Sequence, residues 1–330
     1  MTALAHGQGG PADFFVCDIF AAAPKTDMGS MEHPMFSLST RPDRLIRTYT
    51  RGDVSITVTP SVRGRATIHD KDILIYCISQ LMAALNAGRA IARKLTLTAH
   101  DLLIATQRDT GGDSYVRLCE AFERLAGTRI TTNITTGEEE TTSGFGLIEA
   151  WEIVRKSRGG RMVSVTVTLS EWLFRAVQAK TVLTLSRDYF GLRKPLERRI
   201  YEIARKHCGQ QRLWRASVAT LHEKAGSDAP LRVFRAALRR MIETNGLPDY
   251  DLAEETGDII CVTRRGLSAD QAGIRPLKPE TLDDARRIAP GFDVHALEAE
   301  WRGFWAASGR PALRSPDAAF LGWLKGRVAR

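Results

Sequence analysis

No Gly-Lys dipeptide occurs anywhere in the 330 residues, so the chain has no P-loop with which to cradle nucleotide phosphates. No two of its seven histidines stand at His-x-His or HExxH spacing, which removes the usual metal-hydrolase and nickase signatures. The five cysteines, Cys17, Cys77, Cys119, Cys208 and Cys261, are odd in number, widely spaced and without a CxxC pair. That argues against a zinc ribbon or a thioredoxin-type site. His207 adjoins Cys208, but neighbouring helix positions diverge by about 100°, so a helix-end histidine is the simpler reading. No signal-peptide pattern opens the chain, and reduced, buried thiols in a cytoplasmic protein are expected. The longest apolar stretch, Ile73–Leu85, is broken by Gln80 and is too short to cross a bilayer, so no membrane partner is expected. These residues assign no catalytic group, no metal and no cofactor.

A hydrophobic content of 43% with 26% charged residues fits a folded chain, and the length favours more than one domain. The distinctive feature is a net charge of +9. Arg187 to Arg240 holds 14 Lys/Arg against 5 Asp/Glu, an excess of nine, which leaves 33 of each sign elsewhere. The excess is therefore local. A clustered basic surface points to a polyanionic partner such as nucleic acid.

One order of elements occurs twice. In the first half, Ser55–Thr59 alternates as a strand, and Asp70 can cap a buried helix reaching Asn86. Strand Lys94–Leu97, a helix from Thr98, the turn Asp109–Gly112 and a helix from Asp113 to Ala126 follow. Thr128–Thr135 and Phe145–Val154 then read as a hairpin around an acidic turn. In the second half, a helix from Pro195 to His207 leads to strand Arg212–Arg215 and a helix from Ser217 to Gly226. A helix from Pro230 to Thr244 and strands Tyr250–Glu254 and Ile259–Thr263 complete it. Thr98 to Ser217 is 119 residues and Asp113 to Pro230 is 117, without sequence identity between the halves.

Short helix, tight turn, second helix and antiparallel hairpin is the winged variant of helix-turn-helix. The expected class is α+β, with two tandem winged-helix domains followed by a small C-terminal helical module. Residues 1–13 are expected as a tail, 14–155 as the first winged helix and 156–268 as the second, basic one. A linker at 269–279 precedes the module at 280–330.

The second helix of such a motif enters the major groove, with base contacts near its N-terminus. Arg232, Arg235 and Arg239 fall within roughly a 60° arc beside the apolar stripe of Pro230–Thr244, and Arg240 lies on the far flank. Their guanidinium groups suit phosphate or guanine, and loss of Arg235 or Arg239 is expected to weaken binding. Arg198, Arg199, Arg205 and Lys206 read as a polar helix face for phosphate, and Arg264 and Arg265 as hairpin contacts. In the first half, Ser114, Tyr115 and Arg117 are the candidate groove contacts, although Asp113, Glu120 and Glu123 share that helix. The acidic tip Gly137–Glu140 would repel phosphate, which leaves self-association as an alternative role for this unit. The turn Arg155–Arg161, with Arg155, Lys156, Arg158 and Arg161 and no acid, reads as a loop on the DNA backbone.

Three stretches carry a family resemblance. His33-Pro34-Met35-Phe36-Ser37-Leu38-Ser39, Thr67–Tyr76 and Arg199–Gly209 resemble the plasmid replication initiator protein A family. The resemblance covers about Phe14 to Arg265. It implies an initiator that binds double-stranded origin DNA at direct repeats, helps open it for host machinery, and represses its own promoter as a homodimer.

The segment after Pro279 holds Trp301, Trp305 and Trp323, half of the six tryptophans. Leu297, Trp301 and Phe304 share a helical spacing, and Asp317 can cap a second helix, so a small aromatic core is expected. Recruitment of a host replication initiator or helicase-loading protein is the role expected of this module. Two rivals stand beside the initiator: a transcriptional repressor without a replication role, and a nicking enzyme using Tyr189 or Tyr201 as nucleophile.

Overall fold

The computed structural model describes residues 23–51, 54–136, 139–155, 162–209, 211–265, 277–289, 294–309 and 313–328. It opens on strand β1 (Lys25–Asp27), and the Asp27 carboxylate accepts from the Ser30 amide at 2.6 Å to cap helix α1 (Met28–Glu32). Strands β2 (Arg47–Arg51) and β3 (Val54–Thr59) precede helix α2 (Lys71–Asn86), whose residues are buried on nearly every side. Asp70 stands just before α2 but makes no cap bond. Its carboxylate accepts from the Thr67 amide and takes a two-pronged ion pair from Arg124, at 2.7 and 2.8 Å. Strand β4 (Lys94–Leu97), helix α3 (Ala99–Ala105) capped by Thr98, and helix α4 (Gly112–Gly127) then follow the expected order. Leu118, Ala121, Phe122 and Leu125 of α4 face the core, the 3.6-residue stripe that made this helix legible.

The expected single hairpin after α4 is four strands: β5 (Arg129–Thr136), β6 (Glu139–Gly146), β7 (Ile148–Arg155) and β8 (Met162–Leu169). They divide between two sheets, ordered β2-β3-β5-β6 and β4-β8-β7. Gly146 ends β6 where the chain switches sheets, and a Cβ there would lie 3.0 Å from the Ile148 carbonyl, close enough that the backbone would have to shift slightly to admit a side chain. Strands β5 and β6 thus belong to the sheet with β2 and β3, and residues 137–138 between them lie outside the described residues. The basic sequence at 156–161 joins β7 to β8, the pair beside α3 and α4. The boundary expected at 155/156 falls within this hairpin, whose strands pair from Ile148↔Leu169 to Arg155↔Met162.

Helix α5 (Glu171–Gln178) and strand β9 (Val182–Thr184), which pairs antiparallel with β1, lead through a 3-10 turn (Arg187–Gly191) to helix α6 (Pro195–His207). Strand β10 (Leu213–Ser217), helix α7 (Val218–Ala225), helix α8 (Leu231–Thr244) and strands β11 (Tyr250–Glu255) and β12 (Ile259–Arg264) repeat the earlier succession. The sheet order β10-β12-β11 reproduces β4-β8-β7. Thr98 and Ser217 cap the first helix of each copy, accepting from Asp101 N and Thr220 N, 119 residues apart. Buried Leu118, Phe122 and Leu125 of α4 correspond to Phe234, Leu238 and Met241 of α8 at a constant offset of 116. Apolar packing thus repeats where sequence identity does not.

The copies meet at a buried ionic joint. Lys71 Nζ donates to Glu202 at 2.8 Å, and Arg198 Nη1 reaches Asp72 at 2.5 Å, with all four side chains inside the protein. Arg199 donates to the Ser30 and Lys224 carbonyls and to Glu202. Beside it, Glu32 receives Lys206 at 2.8 Å and Lys224 at 2.6 Å. Burial raises the Glu32 carboxyl, yet the Lys206 charge and the lysine hydrogen bonds outweigh it and hold the group far below its ordinary range.

Two histidines make this joint acid-sensitive. Burial pushes His33 and His69 down from an ordinary 6.5 to about 4, with nearby Lys206 and Arg199 adding at His33 and Arg198 at His69. The unfolded chain takes up these protons at higher pH than the folded one, so stability is full above about 6.5 and falls as pH drops towards 4. A denaturant midpoint followed through that window should decline, and His33→Gln with His69→Gln should flatten the profile.

Helices α9 (Pro279–Ile288), α10 (Val294–Ala307) and α11 (Pro316–Val328) form a third core around Leu282, Leu297, Trp301, Phe320 and Leu324. Asp317 does not cap α11. Its carboxylate accepts from Lys278 N and Thr281 Oγ1 and ties α11 to α9, while Ser315 Oγ accepts from the Ala318 amide. Phe304, placed in the core by its spacing, is 57% exposed.

Candidate nucleic-acid interface

Helix α8 buries Phe234, Leu238 and Met241, and so turns Arg232, Ala236, Arg239 and Arg240 to solvent. The arginines differ sharply in their partners. Arg235 forms a two-pronged pair with Asp258 of the β11–β12 turn, at 2.6 Å on each prong, and Arg239 a similar pair with Glu254 of β11, at 2.8 Å. Hydrogen bonding from Arg235 and Arg239 pulls the Asp258 and Glu254 carboxyls below their ordinary values. Among the described residues, Arg193, Arg212, Arg232, Arg240 and Arg264 have no carboxylate partner. Arg265 pairs with Asp251 at 2.6 Å and Arg215 with Glu255 at 2.9 Å.

The reading of Arg198, Arg199 and Arg205 as a phosphate-facing surface is corrected: none is more than 6% exposed, and Arg205 Nε donates to the Thr184 carbonyl. Buried guanidinium groups held by carbonyls and carboxylates do not reach a DNA backbone. Lys206 is tied to Glu32 and the Met28 carbonyl. Pairing therefore consumes most of the basic block. Some of the acids that do so, Glu254, Glu255 and Asp258, stand just beyond it, where residues 241–265 hold 6 Asp/Glu against 2 Lys/Arg. A charge count carried to Arg265 would have found them.

In the first copy, Arg117 is exposed at the start of α4, with Ser114 and Tyr115 half-buried beside it. Each second helix opens on an exposed valine next to an exposed arginine, in opposite order. Val116 precedes Arg117, and Arg232 precedes Val233; the valines are 59% and 41% exposed. Sequence reading passed over both valines, although the offset of 116 makes them neighbours of equivalent positions. Glu123 of α4 is held by Arg63 at 2.8 Å. Arg155 is exposed at the end of β7, whereas Lys156, Arg158 and Arg161 lie outside the described residues. In the second copy an acidic hairpin stands beside a basic helix, whereas α4 of the first copy carries both signs.

Both tyrosines weighed as nucleophiles lie inside the second copy. Tyr189 is buried with its hydroxyl on Glu202 at 2.8 Å, and Tyr201 places its hydroxyl 3.1 Å from Asp249. Burial raises both phenols well above their ordinary value. Burial also pushes the Cys77 and Cys208 thiols up to about 12. Among the described residues no group of three His, Cys, Asp or Glu could hold a metal, and no helix is long and apolar enough to cross a membrane.

The fold has solved counterparts. Crystal structures of domains 2 and 3 of RctB superpose with TM-scores of 0.53 and 0.51 at 13% identity. They cover 73% and 72% of this chain, and 97% of each of those chains. Closer in sequence is a protein of Wigglesworthia glossinidia brevipalpis named "Putative replication protein", 40% identical over 258 residues, or 77% of this chain and 94% of that protein. The sequence profile of the family described as replication initiator protein A matches residues 25–252, from β1 into β11 and so across both copies and the joint between them. The three stretches quoted for the resemblance meet at that joint: Pro34 against Gly226, Asp72 on Arg198, and Arg199 on the Ser30 carbonyl. The chain belongs to the replication initiator protein A family.

Proposed function

We propose that this initiator binds double-stranded origin DNA through two tandem winged helices, with α4 and α8 each entering a major groove. The hairpins β7–β8 and β11–β12 serve as wings against the backbone. The observation that carries this reading is an exposed arginine in the first half of each second helix, Arg117 and Arg232, at adjacent positions of a repeated scaffold. Arg240 and Arg264 add cations without carboxylate partners among the described residues, and Lys156, Arg158 and Arg161, outside the described residues, add basic sequence between β7 and β8. The ionic joint fixes the spacing between the two helices, and binding of both units at once strains the intervening duplex towards opening. The third helical core, beyond the stretch that the family profile matches, receives host replication initiator or helicase-loading proteins. The reading includes no covalent step.

Arg232→Ala tests it. If Arg232 grips a guanine edge, the substitution costs about 1–3 kcal/mol on the cognate site and relaxes specificity at one position. If it grips phosphate, affinity falls evenly across sequences and the salt slope drops by about one. Titration of the full chain against duplexes tiled across the DNA beside its gene, at several salt concentrations, separates these outcomes. Unchanged affinity on every duplex would remove α8 from the interface.

A further inference from the structure

The second wing is acidic where a phosphate contact calls for cations. Glu254 and Asp258 stand on it, each gripping with both carboxylate oxygens an arginine of α8 that the groove-binding geometry turns towards DNA. A carboxylate presents the guanidinium fork with two parallel acceptors, the same pattern offered by guanine O6 and N7. We propose that Glu254 and Asp258 are specificity-determining residues, intramolecular competitors that withhold Arg239 and Arg235 from phosphate, beside which the freed carboxylates would face the backbone, and release them to a base edge that replaces both hydrogen bonds. The inference rests on the reading of α8 as the groove-entering helix, and goes beyond it by assigning the discrimination to acids that do not themselves contact DNA.

The physical argument concerns what each acceptor must overcome. On random duplex, a freed arginine could take a phosphate, but its abandoned carboxylate would then face the same backbone and repel it. Exposed pairs contribute little to folding, so the acids are not needed to hold the hairpin. The sheet pairing of β11 with β12 and the buried Tyr250, Leu252 and Ile260 already do so. At a cognate site the guanine edge repays the exchange, and nonspecific binding is suppressed more than specific binding. Selection against the wrong partner by an opposing charge is a recognised route to specificity. Arg232 and Arg240, without such partners, remain as the constant grip.

The test uses the full chain carrying Glu254→Gln together with Asp258→Asn, which keep shape and remove charge. Binding is measured on a random-sequence duplex and on the tightest duplex tiled from the gene's flanking DNA, across a range of salt. The expected variant binds random duplex about ten-fold more tightly. Its salt slope is steeper by about 0.9 for each arginine released, and its ratio of cognate to random affinity falls. An unchanged thermal midpoint identifies the effect as one on binding. Wild-type binding with an unaltered random-duplex affinity and slope in the variant overturns the inference alone. Absence of binding by both proteins to every duplex overturns it together with the proposed function.

Discussion

Arg198→Ala is expected to lower the unfolding free energy by about 3–5 kcal/mol, the range for removing one member of a buried ion pair. Arg198 is 2% exposed and donates to Asp72 at 2.5 Å, to the Leu192 carbonyl at 2.7 Å and to the Phe190 carbonyl at 3.2 Å. Its guanidinium also lies 5.1 Å from the centre of the Tyr189 ring. Truncation would leave two carbonyls and part of a carboxylate without a donor inside the protein, and water has no open path to replace it. Asp72 keeps a second arginine, Arg108, at 2.9 Å, so the loss falls short of isolating a full charge. Denaturant unfolding measures the effect. A shift below about 1 kcal/mol, the ordinary size for an exposed pair, would show that the joint is wet and adjustable. Arg198→Met with Asp72→Leu should recover only the part due to the under-compensated carboxylate, because the Leu192 and Phe190 carbonyls stay without a donor and Arg108 loses its partner.

Gly226→Ala should be nearly as damaging, for a steric reason. Gly226 ends α7 with φ +62°, and a Cβ there would lie 2.3 Å from Pro34 Cβ and 2.9 Å from its Cγ. The left-handed backbone alone costs an L-residue roughly 1–2 kcal/mol, and overpacking adds about 1–3 kcal/mol. Gly257 supplies the internal control. It has φ +82° in the β11–β12 turn, and a methyl group there would meet nothing within 4 Å, so Gly257→Ala should show the backbone cost alone. Equal midpoints for the two variants would contradict the contact with Pro34. Because Pro34 lies in the first half and Gly226 in the second, the difference between them reports on the joint as well.

The second half was the more legible in sequence, since Pro195 opens α6, Ser217 and Gly226 cap and stop α7, and Pro230 stands just before α8. The first half misled at one point. Thr128–Val154 alternates well enough to read as a single hairpin, and nothing local marks Gly146 as the place where the chain leaves one sheet for another. Burial of Arg198, Arg199 and Arg205 was beyond local reading for a different reason. Their acceptors include Asp72, 126 positions away, and the Ser30 carbonyl, 169 positions away. A charged helix face looks the same in sequence whether it meets water or a second unit. The four acids of the second wing were in plain view, but the charge count stopped at Arg240.

The local charge excess therefore divides into three uses. Part of it holds the two units together around Asp72, Glu202 and Glu32, part is held by Asp258 and Glu254, and the exposed arginines without a carboxylate partner among the described residues are those proposed for DNA. Hydroxyl-radical footprinting of the full chain on the DNA beside its gene tests this account most directly. Two protected tracts on one face of the duplex are expected, one for each unit, with Arg117→Ala weakening one tract and Arg232→Ala the other. A single tract weakened equally by both substitutions, or protection indifferent to either, would contradict it.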